Sequence, residues 1–598
     1  MDEKIMPSNT KHATWLNRSL ARAKEFLSRD SHVILTLILA AIIVYALCLP
    51  NQMFWDDEDF ILKNMFIKDW QFWPRFFTDN IIAGTHLVSN YWRPLLQTIF
   101  AIEWHLWSDW VWGWHAVSIL CHAAAAGMLF LVINNLLNNR TLAILTALLW
   151  VVHPVHTEAV VYPNSMGDSL ATTLVLTGVY FYIKFRRSHQ SAIKSPDWWI
   201  ALIMSPLALL SKETGILLIA FIALADFFFL TPSTRFIKKI KTILTALWPF
   251  ILIATVYMVL RATVLNFNNS FNFYNQDTQF TTHFDVRLAT FFRAISLYAG
   301  FIFTPYDLRV ERLIDPAQSF YELDVLWGIA LCTALIWLAK HNWNKRPVIA
   351  FGVLWFFTGI LPTSNLLVII NAFVYEHFLY TSLIGIILIV LTFALESANN
   401  KKKRTIFLAI MMAVILAAGI RSAWRCLDWR TAIDFYEKLA PSVPTSYRVI
   451  NNMGMAYAEK GIVEKAKETY QKAIALDPSN AVAYHNIANI YRDAKESDLA
   501  QQYYEKAIEL QPNFIFSYKS LAQLYLNKNE YARARKLLEI YFNMSEEKIY
   551  TLNILAEIAY REGAYVKAKE YLTILLQIIP NDPTTLAALQ KLESVIKK

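Results

Sequence analysis

Four carboxylates crowd into the segment FWDDEDF, residues 54–60. Asp56, Asp57, Glu58 and Asp59 come shortly after the uncharged apolar run 33–49. A run of that length can cross a bilayer. A carboxylate at the border of a membrane can act as a general base that takes a proton from an attacking hydroxyl. The alternative is a solvated loop whose charges only keep it outside the membrane.

Cationic residues stand at the borders of other apolar runs. Arg93 precedes Pro94 where such a run begins, and Lys212 and Glu213 interrupt an apolar stretch. Charge inside a membrane segment is costly and marks a candidate functional site. Arg93 can hold a phosphate bidentately, or it is an interfacial arginine among tryptophans. Lys212 and Glu213 line the same site, or they pair with each other at a helix junction.

The segment HPVHTEAV, residues 153–160, supplies imidazoles and an acid. His153, His156 and Glu158 have a spacing that could serve a metal. Pro154 argues against a regular ligand-bearing helix, and no cysteine joins the three residues. We therefore predict no metal centre here and expect these side chains to position the acids or a donor molecule.

Another polar border is YEHFLYTS, residues 375–382. Glu376, His377 and Tyr380 lie where an apolar run begins. They can line the same cavity as the other polar borders, or they can form an ordinary capped helix start. Both interpretations stay open at this point.

Composition identifies the setting of these residues. Of 598 residues, 56% are hydrophobic and 17% are charged. Apolar runs recur from Val33 to about Gly419, which indicates an integral membrane protein with several spans. The net charge of +9 is attributed to cytoplasmic loops, so no nucleic-acid partner is expected. The four scattered cysteines indicate neither a disulfide framework nor a CxxC metal site.

Basic clusters predict the topology, because Lys and Arg mark the cytoplasmic side of a membrane. They occur in residues 1–30, 184–194, 235–241, 340–346 and 401–404. The alternation predicts about eleven spans, with 287–303 re-entrant or interfacial on the outer face. The N-terminal arm, 1–30, is then cytoplasmic, and the C-terminus is exoplasmic. Four polar borders, in the segments DDED, HPVHTEAV, SKETG and YEHFLYTS, converge on the exoplasmic face. That face also carries a large tryptophan-rich loop, 51–110.

The C-terminal part has an internal period of 34 residues. Ala466, Ala500, Ala534 and Ala568 recur at that spacing, and so do Gly454, Ala488, Ala522 and Ala556. Small residues at helix crossings with this period are typical of tetratricopeptide repeats. We predict an all-α chain: a membrane domain, 31–424, followed by an α-solenoid, 425–598, with a half repeat, four repeats and a capping helix.

Several segments together resemble those of one glycosyltransferase family. They are FWDDEDFI, NYWRPLLQTIF, HPVHTEAV, SKETGI and EHFLYTSLIG, followed by the repeats. In types and order they are similar to the GT-C glycosyltransferases with C-terminal tetratricopeptide repeats, the TMTC-type O-mannosyltransferases and their bacterial relatives. Two positions depart from the family pattern. Ser165-Met166-Gly167-Asp168 replaces Gly-Arg-x-Asp, and His377 replaces an arginine.

The resemblance implies transfer of a sugar from a polyprenyl-phosphate donor to an acceptor hydroxyl on the exoplasmic face. It implies Asp56 or Asp57 as the base and Arg93, Lys212 and His377 as donor-phosphate ligands. The site lining would be His153, His156, Glu158, Asp168, Glu213, Glu376 and Tyr380. No cofactor is certain, and a divalent cation is left open.

The partners implied are the lipid-linked donor, a protein or glycan acceptor bound in the repeat groove, and membrane lipid. If the chain is bacterial, the membrane is the cell inner membrane, with the repeats in the periplasm; otherwise the repeats are lumenal. The competing hypothesis is a catalytically inactive, membrane-anchored repeat scaffold, which the two missing cations favour. A lipid or sugar transporter would need polar residues deep in several spans, whereas here they gather at one border.

Overall fold

The computed structural model describes residues 25–85, 87–188, 190–231, 235–267, 278–312, 314–370, 372–545 and 547–596. The basic residues predicted for the N-terminal arm up to Lys24 lie outside them. The chain divides into two compact units, Met1–Thr431 and Ala432–Lys598, called the membrane unit and the repeat unit below. All regular elements in the described ranges are helical. The predicted all-α class is confirmed.

The membrane unit contains thirteen α-helices of eight residues or more within the described ranges. They are α1 Asp30–Tyr45, α2 Pro94–Trp107, α3 Val111–Leu137, α4 Arg140–Val151, α5 Met166–Ser188, α6 Pro196–Ser211, α7 Leu217–Ala225, α8 Phe236–Ala262, α9 Phe284–Phe303, α10 Leu323–Asn342, α11 Pro347–Ile360, α12 Leu383–Ser397 and α13 Lys401–Cys426.

Seven helical segments among the described residues are long and apolar enough to cross a membrane. They are Asp30–Cys48, Val111–Leu137, Glu213–Leu230, Phe236–Ala262, Phe284–Phe303, Leu323–Asn342 and Lys401–Trp429. An eighth arises if α4 and Pro154–Val161, bent by 51°, form one span. The chain is therefore a multipass membrane protein. The count of about eleven crossings and the re-entrant reading of 287–303 stay predictions.

Helix α3 is the centre of the membrane unit and packs against α1, α4 and α5. Its buried small residues, Ala123, Ala125, Ala126 and Gly127, leave room for neighbouring helices to approach. The helix ends at Asn138, whose left-handed backbone (φ 51°) closes the last turn. Helix α5 lies between α3 and α6. The acidic loop just after α1 and the segment HPVHTEAV just after α4 therefore belong to the same group of packed helices.

The described residues of the repeat unit form a row of ten α-helices. They are α14 Ala432–Leu439, α15 Tyr447–Glu459, α16 Val463–Leu476, α17 Ala481–Asp493, α18 Ser497–Leu510, α19 Ile515–Asn527, α20 Tyr531–Met544, α21 Lys548–Arg561, α22 Tyr565–Ile578 and α23 Pro583–Ile596. Each helix packs mainly on its neighbours in sequence, as expected of a solenoid. The periodic alanines Ala466, Ala500, Ala534 and Ala568 are buried, so they occupy the helix crossings.

Candidate active site

The acidic loop after α1 presents its two central aspartates differently. Asp57 is buried, and one of its carboxylate oxygens, Oδ1, accepts a hydrogen bond from the Asn164 backbone N–H at 2.9 Å. Asp56 is exposed, and its backbone N–H donates to the Tyr162 hydroxyl at 2.8 Å. Burial raises the pKa of the Asp57 carboxyl well above its usual range. The loop is thus held by residues that follow HPVHTEAV, and only Asp56 of this pair faces outward.

The other two acids of the loop have separate surroundings. Glu58 forms an ion pair with Lys63. Asp59 is partly buried, and this burial raises its pKa.

Arg93 is a buried cation held by an acid from a distant segment. Its Nε and Nη2 donate to the Glu213 Oε2 at 3.2 and 2.9 Å. Its guanidinium also lies over the Tyr91 ring, 4.4 Å from the ring centre. Burial raises the pKa of Tyr91; Arg93 opposes that rise, and the Glu213 and Asp56 carboxylates add to it. Tyr91 therefore lies within electrostatic reach of both the acidic loop and the Arg93–Glu213 pair.

Lys212 forms a second ion pair in the same region. Its Nζ lies 2.7 Å from the Asp168 Oδ1, and both side chains are largely buried. The adjacent residues Lys212 and Glu213 thus pair with two other partners and not with each other. Lys212 has an extended backbone between α6 and the tight turn Glu213–Ile216. Because side chains alternate along extended backbone, the two neighbours point to different partners.

The segment HPVHTEAV, called the histidine block below, begins at the bend between α4 and the short helix Thr157–Val161. His153 accepts a hydrogen bond from the Val155 N–H on Nδ1 and donates from Nε2 to the Ile302 carbonyl at 3.1 Å. His156 is fully buried, and neither of its ring nitrogens has a hydrogen-bond partner. It lies in an aromatic cluster with its ring centre 4.6 Å from that of Trp150 and 4.7 Å from that of Tyr380.

Glu158 connects the histidine block to the last polar border. Its Oε1 lies 2.8 Å from the His377 Nδ1, and its Oε2 accepts from the His377 backbone N–H at 3.3 Å. The imidazole predicted to bind donor phosphate is therefore engaged by a carboxylate. Glu376, the residue before His377, forms a fully buried ion pair with Arg425.

Tyr380 anchors the same border to the core of the unit. Its hydroxyl lies 2.6 Å from the His122 Nδ1, and its carbonyl accepts from the Trp150 indole N–H at 2.9 Å. Since the His122 Nε2 donates to the Val151 carbonyl, the hydroxyl is the donor in the contact with Nδ1. Tyr380 thus sits inside the aromatic cluster and fixes the border from within.

Four side chains that contact predicted site residues were not themselves predicted from the sequence. They are Tyr91, His122, Tyr162 and Arg425, each in contact with a predicted residue. Tyr91 lies two residues before Arg93, and Tyr162 lies two residues after HPVHTEAV, so their position in sequence was an available signal. His122 and Arg425 lie within apolar helices, where a polar residue is itself a signal.

Two further features concern what the region can bind. No group of three or more His, Cys, Asp or Glu in the described ranges is arranged to hold a metal ion. An apolar groove of about 650 Å³ lies between the turn after Glu213 with α7 and helix α8. It is lined by Ile216, Ile219, Ala220, Ala223, Ile251, Ala254, Thr255, Met258, Val259 and Ala262. The groove thus begins three residues from the acid that holds Arg93.

Comparison with known families supports the division into two units. Residues 94–259 match the dolichyl-phosphate-mannose-protein mannosyltransferase family. Residues 454–494, 481–514 and 503–536 match tetratricopeptide-repeat families. The first match begins just after Arg93 and includes His153, His156, Glu158, Asp168, Lys212 and Glu213. The repeat matches fall wholly within the repeat unit.

Individual relatives match most of the chain. A protein O-mannosyl-transferase of Caenorhabditis elegans is 24% identical over 74% of this chain and 62% of its own length. The human protein O-mannosyl-transferase TMTC4 is 24% identical over 70% of this chain and 63% of its own length. The chain thus spans about three fifths of these relatives. A solved tetratricopeptide repeat protein from Parabacteroides merdae covers 28% of this chain at 18% identity, with a TM-score of 0.24.

The predicted resemblance is confirmed: the chain joins a segment matching the dolichyl-phosphate-mannose-protein mannosyltransferases to tetratricopeptide repeats, and it is similar to the TMTC-type O-mannosyl-transferases.

Proposed function

We propose that the chain is a GT-C glycosyltransferase that moves a sugar from a polyprenyl-phosphate donor to an acceptor hydroxyl on the exoplasmic face. The observation that carries the proposal is the placement of Tyr91. Its ring contacts the Arg93 guanidinium, and the Glu213 and Asp56 carboxylates both act to raise its pKa. A candidate base and a candidate phosphate ligand therefore share one neighbourhood, which is what a transfer between a hydroxyl and a phosphosugar needs.

Asp56 is the better candidate for the base. It is exposed, whereas Asp57 is buried and already accepts the Asn164 N–H. The acceptor oxygen attacks the anomeric carbon and forms the new glycosidic bond. The bond from that carbon to the phosphate oxygen breaks, and the electron pair leaves with the lipid phosphate. The acceptor proton passes to Asp56. Asp57 holds the loop in place during this step.

Arg93 and Lys212 supply positive charge for the donor phosphate. Each is paired with an acid, Glu213 and Asp168 respectively. A phosphate that replaces the Glu213 carboxylate can occupy the same two guanidinium donors, since Arg binds carboxylate and phosphate with similar fork geometry. Charge on the leaving phosphate grows during transfer, so these cations stabilise the transition state more than the ground state.

The apolar groove between α7 and α8 suits the lipid part of the donor. Its ten lining residues are apolar apart from Thr255. A polyprenyl chain in this groove would bury hydrocarbon against hydrocarbon, with its phosphate near the turn that carries Lys212 and Glu213. The lipid would then anchor the donor while the polar border orients the sugar.

The relatives suggest the sugar and the acceptor. Those compared are named protein O-mannosyl-transferases, so we propose mannose as the sugar and a protein hydroxyl as the acceptor. Tetratricopeptide repeats form a concave surface that binds protein segments. The repeat unit would therefore select or present the acceptor, with no part in the chemical step.

The test is a transfer assay with purified protein and a panel of labelled polyprenyl-phosphate sugars. General-base catalysis typically contributes about 10²–10⁴-fold. We therefore expect Asp56→Asn to lower turnover by that factor with donor binding little changed. Asp59→Asn, the matched change in the same loop, should transfer at the wild-type rate. Assays with and without chelator show whether a divalent cation takes part.

The inactive scaffold is the competing outcome of this assay. It is favoured by the acid partners that already engage Arg93, Lys212 and His377. If Asp56→Asn and Asp57→Asn both transfer sugar as wild type does, neither carboxylate is the base. If wild type transfers no sugar from any donor in the panel, the scaffold hypothesis replaces the enzyme.

The proposed side of the membrane has its own test. Reporter fusions at Ser188, Lys239 and Lys402 should report the cytoplasm, and a fusion at Lys598, which lies outside the described residues, should report the opposite side. The physical reason is the concentration of Lys and Arg in the first three segments. A cytoplasmic signal from the last fusion would overturn both the odd number of crossings and the exoplasmic repeat unit.

A further inference from the structure

The last seven residues of the membrane unit, 425–431, contact the acidic loop and its supports. We call this segment the connector, since it directly precedes the repeat unit. The Asn51 amide donates to the Cys426 carbonyl at 2.9 Å, and the Gln52 backbone N–H donates to the Arg430 carbonyl at 3.0 Å. Both contacts lie a few residues before Asp56. The chain entering the acidic loop is therefore tied to the chain leaving the membrane unit.

Trp429 extends these contacts to the loop itself. It is buried, its ring stacks on Tyr162 at 5.4 Å, and it lies 6.1 Å from the Phe54 ring. The Tyr162 hydroxyl in turn accepts the Asp56 N–H at 2.8 Å. The Trp429 indole thus packs against Phe54, two positions before Asp56, and against Tyr162, which holds the Asp56 backbone.

The backbone of the loop needs such support. Trp55 has φ of 62°, a left-handed conformation that is unfavourable for a bulky side chain. Backbone of this kind persists where surrounding structure holds it, at a cost of order 1–3 kcal/mol. Phe54, on one side of Trp55, packs directly against Trp429. On the other side, the Asp56 N–H is held by Tyr162, which itself stacks on Trp429.

Arg425 fixes the start of the connector against a second part of the site. It pairs with Glu376, and both side chains are almost fully buried. Glu376 directly precedes His377, which contacts Glu158 of the histidine block. The connector therefore contacts three of the polar borders: the acidic loop, the chain after HPVHTEAV, and the segment around Glu376.

We propose that the connector is the positioning element of the active site and that Trp429 is the positioning residue for Asp56. This inference rests on the proposed function for its catalytic consequence, but its structural part does not. The chain that links the membrane unit to the repeats would then set the geometry of the base. Removing the repeats at Arg425 would also remove Trp429, whereas a cut after Thr431 would spare it.

The test uses the full chain with single substitutions. Trp429→Ala removes the packing on Phe54 and Tyr162, while Trp429→Phe keeps an aromatic ring. Trp424→Ala is the matched control, because Trp424 directly precedes the connector and is 70% exposed. Hydrogen exchange of the amides of residues 54–60 reports the loop without any need for activity. The kcat and the donor KM then report the site.

We expect Trp429→Ala to speed exchange of these amides and to lower kcat by about 10- to 100-fold, because small misplacements of reacting groups are that costly. The donor KM should stay close to wild type, and Trp429→Phe should recover most of both losses. Trp424→Ala should change neither measurement. Tyr162→Phe, which removes only the hydroxyl, should speed exchange of the Asp56 amide and provides a milder variant if Trp429→Ala fails to fold.

Other outcomes separate the two proposals. Unchanged exchange in both Trp429→Ala and Tyr162→Phe overturns the positioning role. Faster exchange with wild-type kcat also overturns it, since the loop would not need this geometry. Faster exchange in a protein whose wild type transfers no sugar leaves the connector as the support of the loop and rejects the proposed function alone.

Discussion

Charged side chains are treated differently by the two units of the chain. In the membrane unit, Glu376 and Arg425 form an ion pair, and their own side chains are only 1% and 2% exposed. In the repeat unit, Glu468 and Lys472 form an ion pair, and their own side chains are 65% and 62% exposed. A buried pair is costly to desolvate and leaves a stranded charge when broken, whereas an exposed pair contributes little. The Glu376–Arg425 pair is thus tied to a specific geometry, and the Glu468–Lys472 pair is not.

Substituting one partner in each unit should give the widest difference. Arg425→Met leaves Glu376 buried without its cation, and we expect a loss of about 3–5 kcal/mol in free energy of unfolding near pH 8. Lys472→Met, the same change in the exposed pair, should be neutral within error. Thermal or denaturant unfolding of the two purified variants in detergent measures both. Equal losses would show that burial does not decide the cost of breaking these pairs.

The first substitution also predicts a pH dependence. Burial raises the pKa of Glu376 to about 7, and Arg425 opposes this rise. Without Arg425 the pKa should rise further, so the folded state favours the protonated acid. Stability from such a group is present below its ordinary value near 4.5 and is lost as pH rises through the folded value. The deficit of Arg425→Met should therefore be small near pH 5 and grow towards pH 8.

A second comparison concerns what an arginine does in each unit. Arg93→Ala should weaken donor binding by about 10- to 100-fold, since a hydrogen bond to a charged group contributes about 1.5–3 kcal/mol. Arg93→Lys should recover part of this loss, because a point charge cannot reproduce the guanidinium fork. Arg561→Ala is the control, as Arg561 forms an exposed pair with Glu557 in the repeats. Retention of labelled donor by the purified variants measures the effect, and full recovery by lysine would contradict bidentate binding.

The smallest expected effect tests whether the two units divide the work. In Gly454→Leu the new Cβ would stand 2.6 Å from the Tyr470 ring, and such overpacking typically costs about 1–3 kcal/mol. Since repeats pack on their neighbours, we expect acceptor modification to fall while donor hydrolysis persists. Gln471→Leu places the same new side chain on the exposed side of α16 and should change neither activity. Loss of both activities in Gly454→Leu would contradict the division.

The two units also differ in how far their sequence predicts them. The repeat helices follow from the spacing of Ala466, Ala500, Ala534 and Ala568, because each repeat needs only its neighbours. The membrane site depends on contacts between distant segments. Lys212 and Glu213 are adjacent, which suggests a mutual pair, yet an extended residue before a tight turn directs them to Asp168 and Arg93.

The residues of the site were easier to predict from the sequence than the partners that they contact. The acidic loop and Arg93 stand at membrane borders, where polar residues are conspicuous in the sequence. Nothing local indicates that Asp56 faces outward while Asp57 is buried, because that depends on Tyr162 and Asn164 more than a hundred residues away. Such partners are set by packing, which short-range patterns do not record.

The bend after α4 has a consequence for how the protein is made. Pro154 interrupts the helix, and the carbonyls of Val151 and Val152 accept instead from the His122 Nε2–H at 2.9 Å and the Ser422 hydroxyl at 2.7 Å. Apolar surroundings contain no water to satisfy such groups. His122 is synthesised before the bend, but Ser422 follows it by 270 residues. During synthesis the bent segment therefore lacks one of its donors until α13 has emerged, and the membrane unit reaches its final packing only when its last helix is in place.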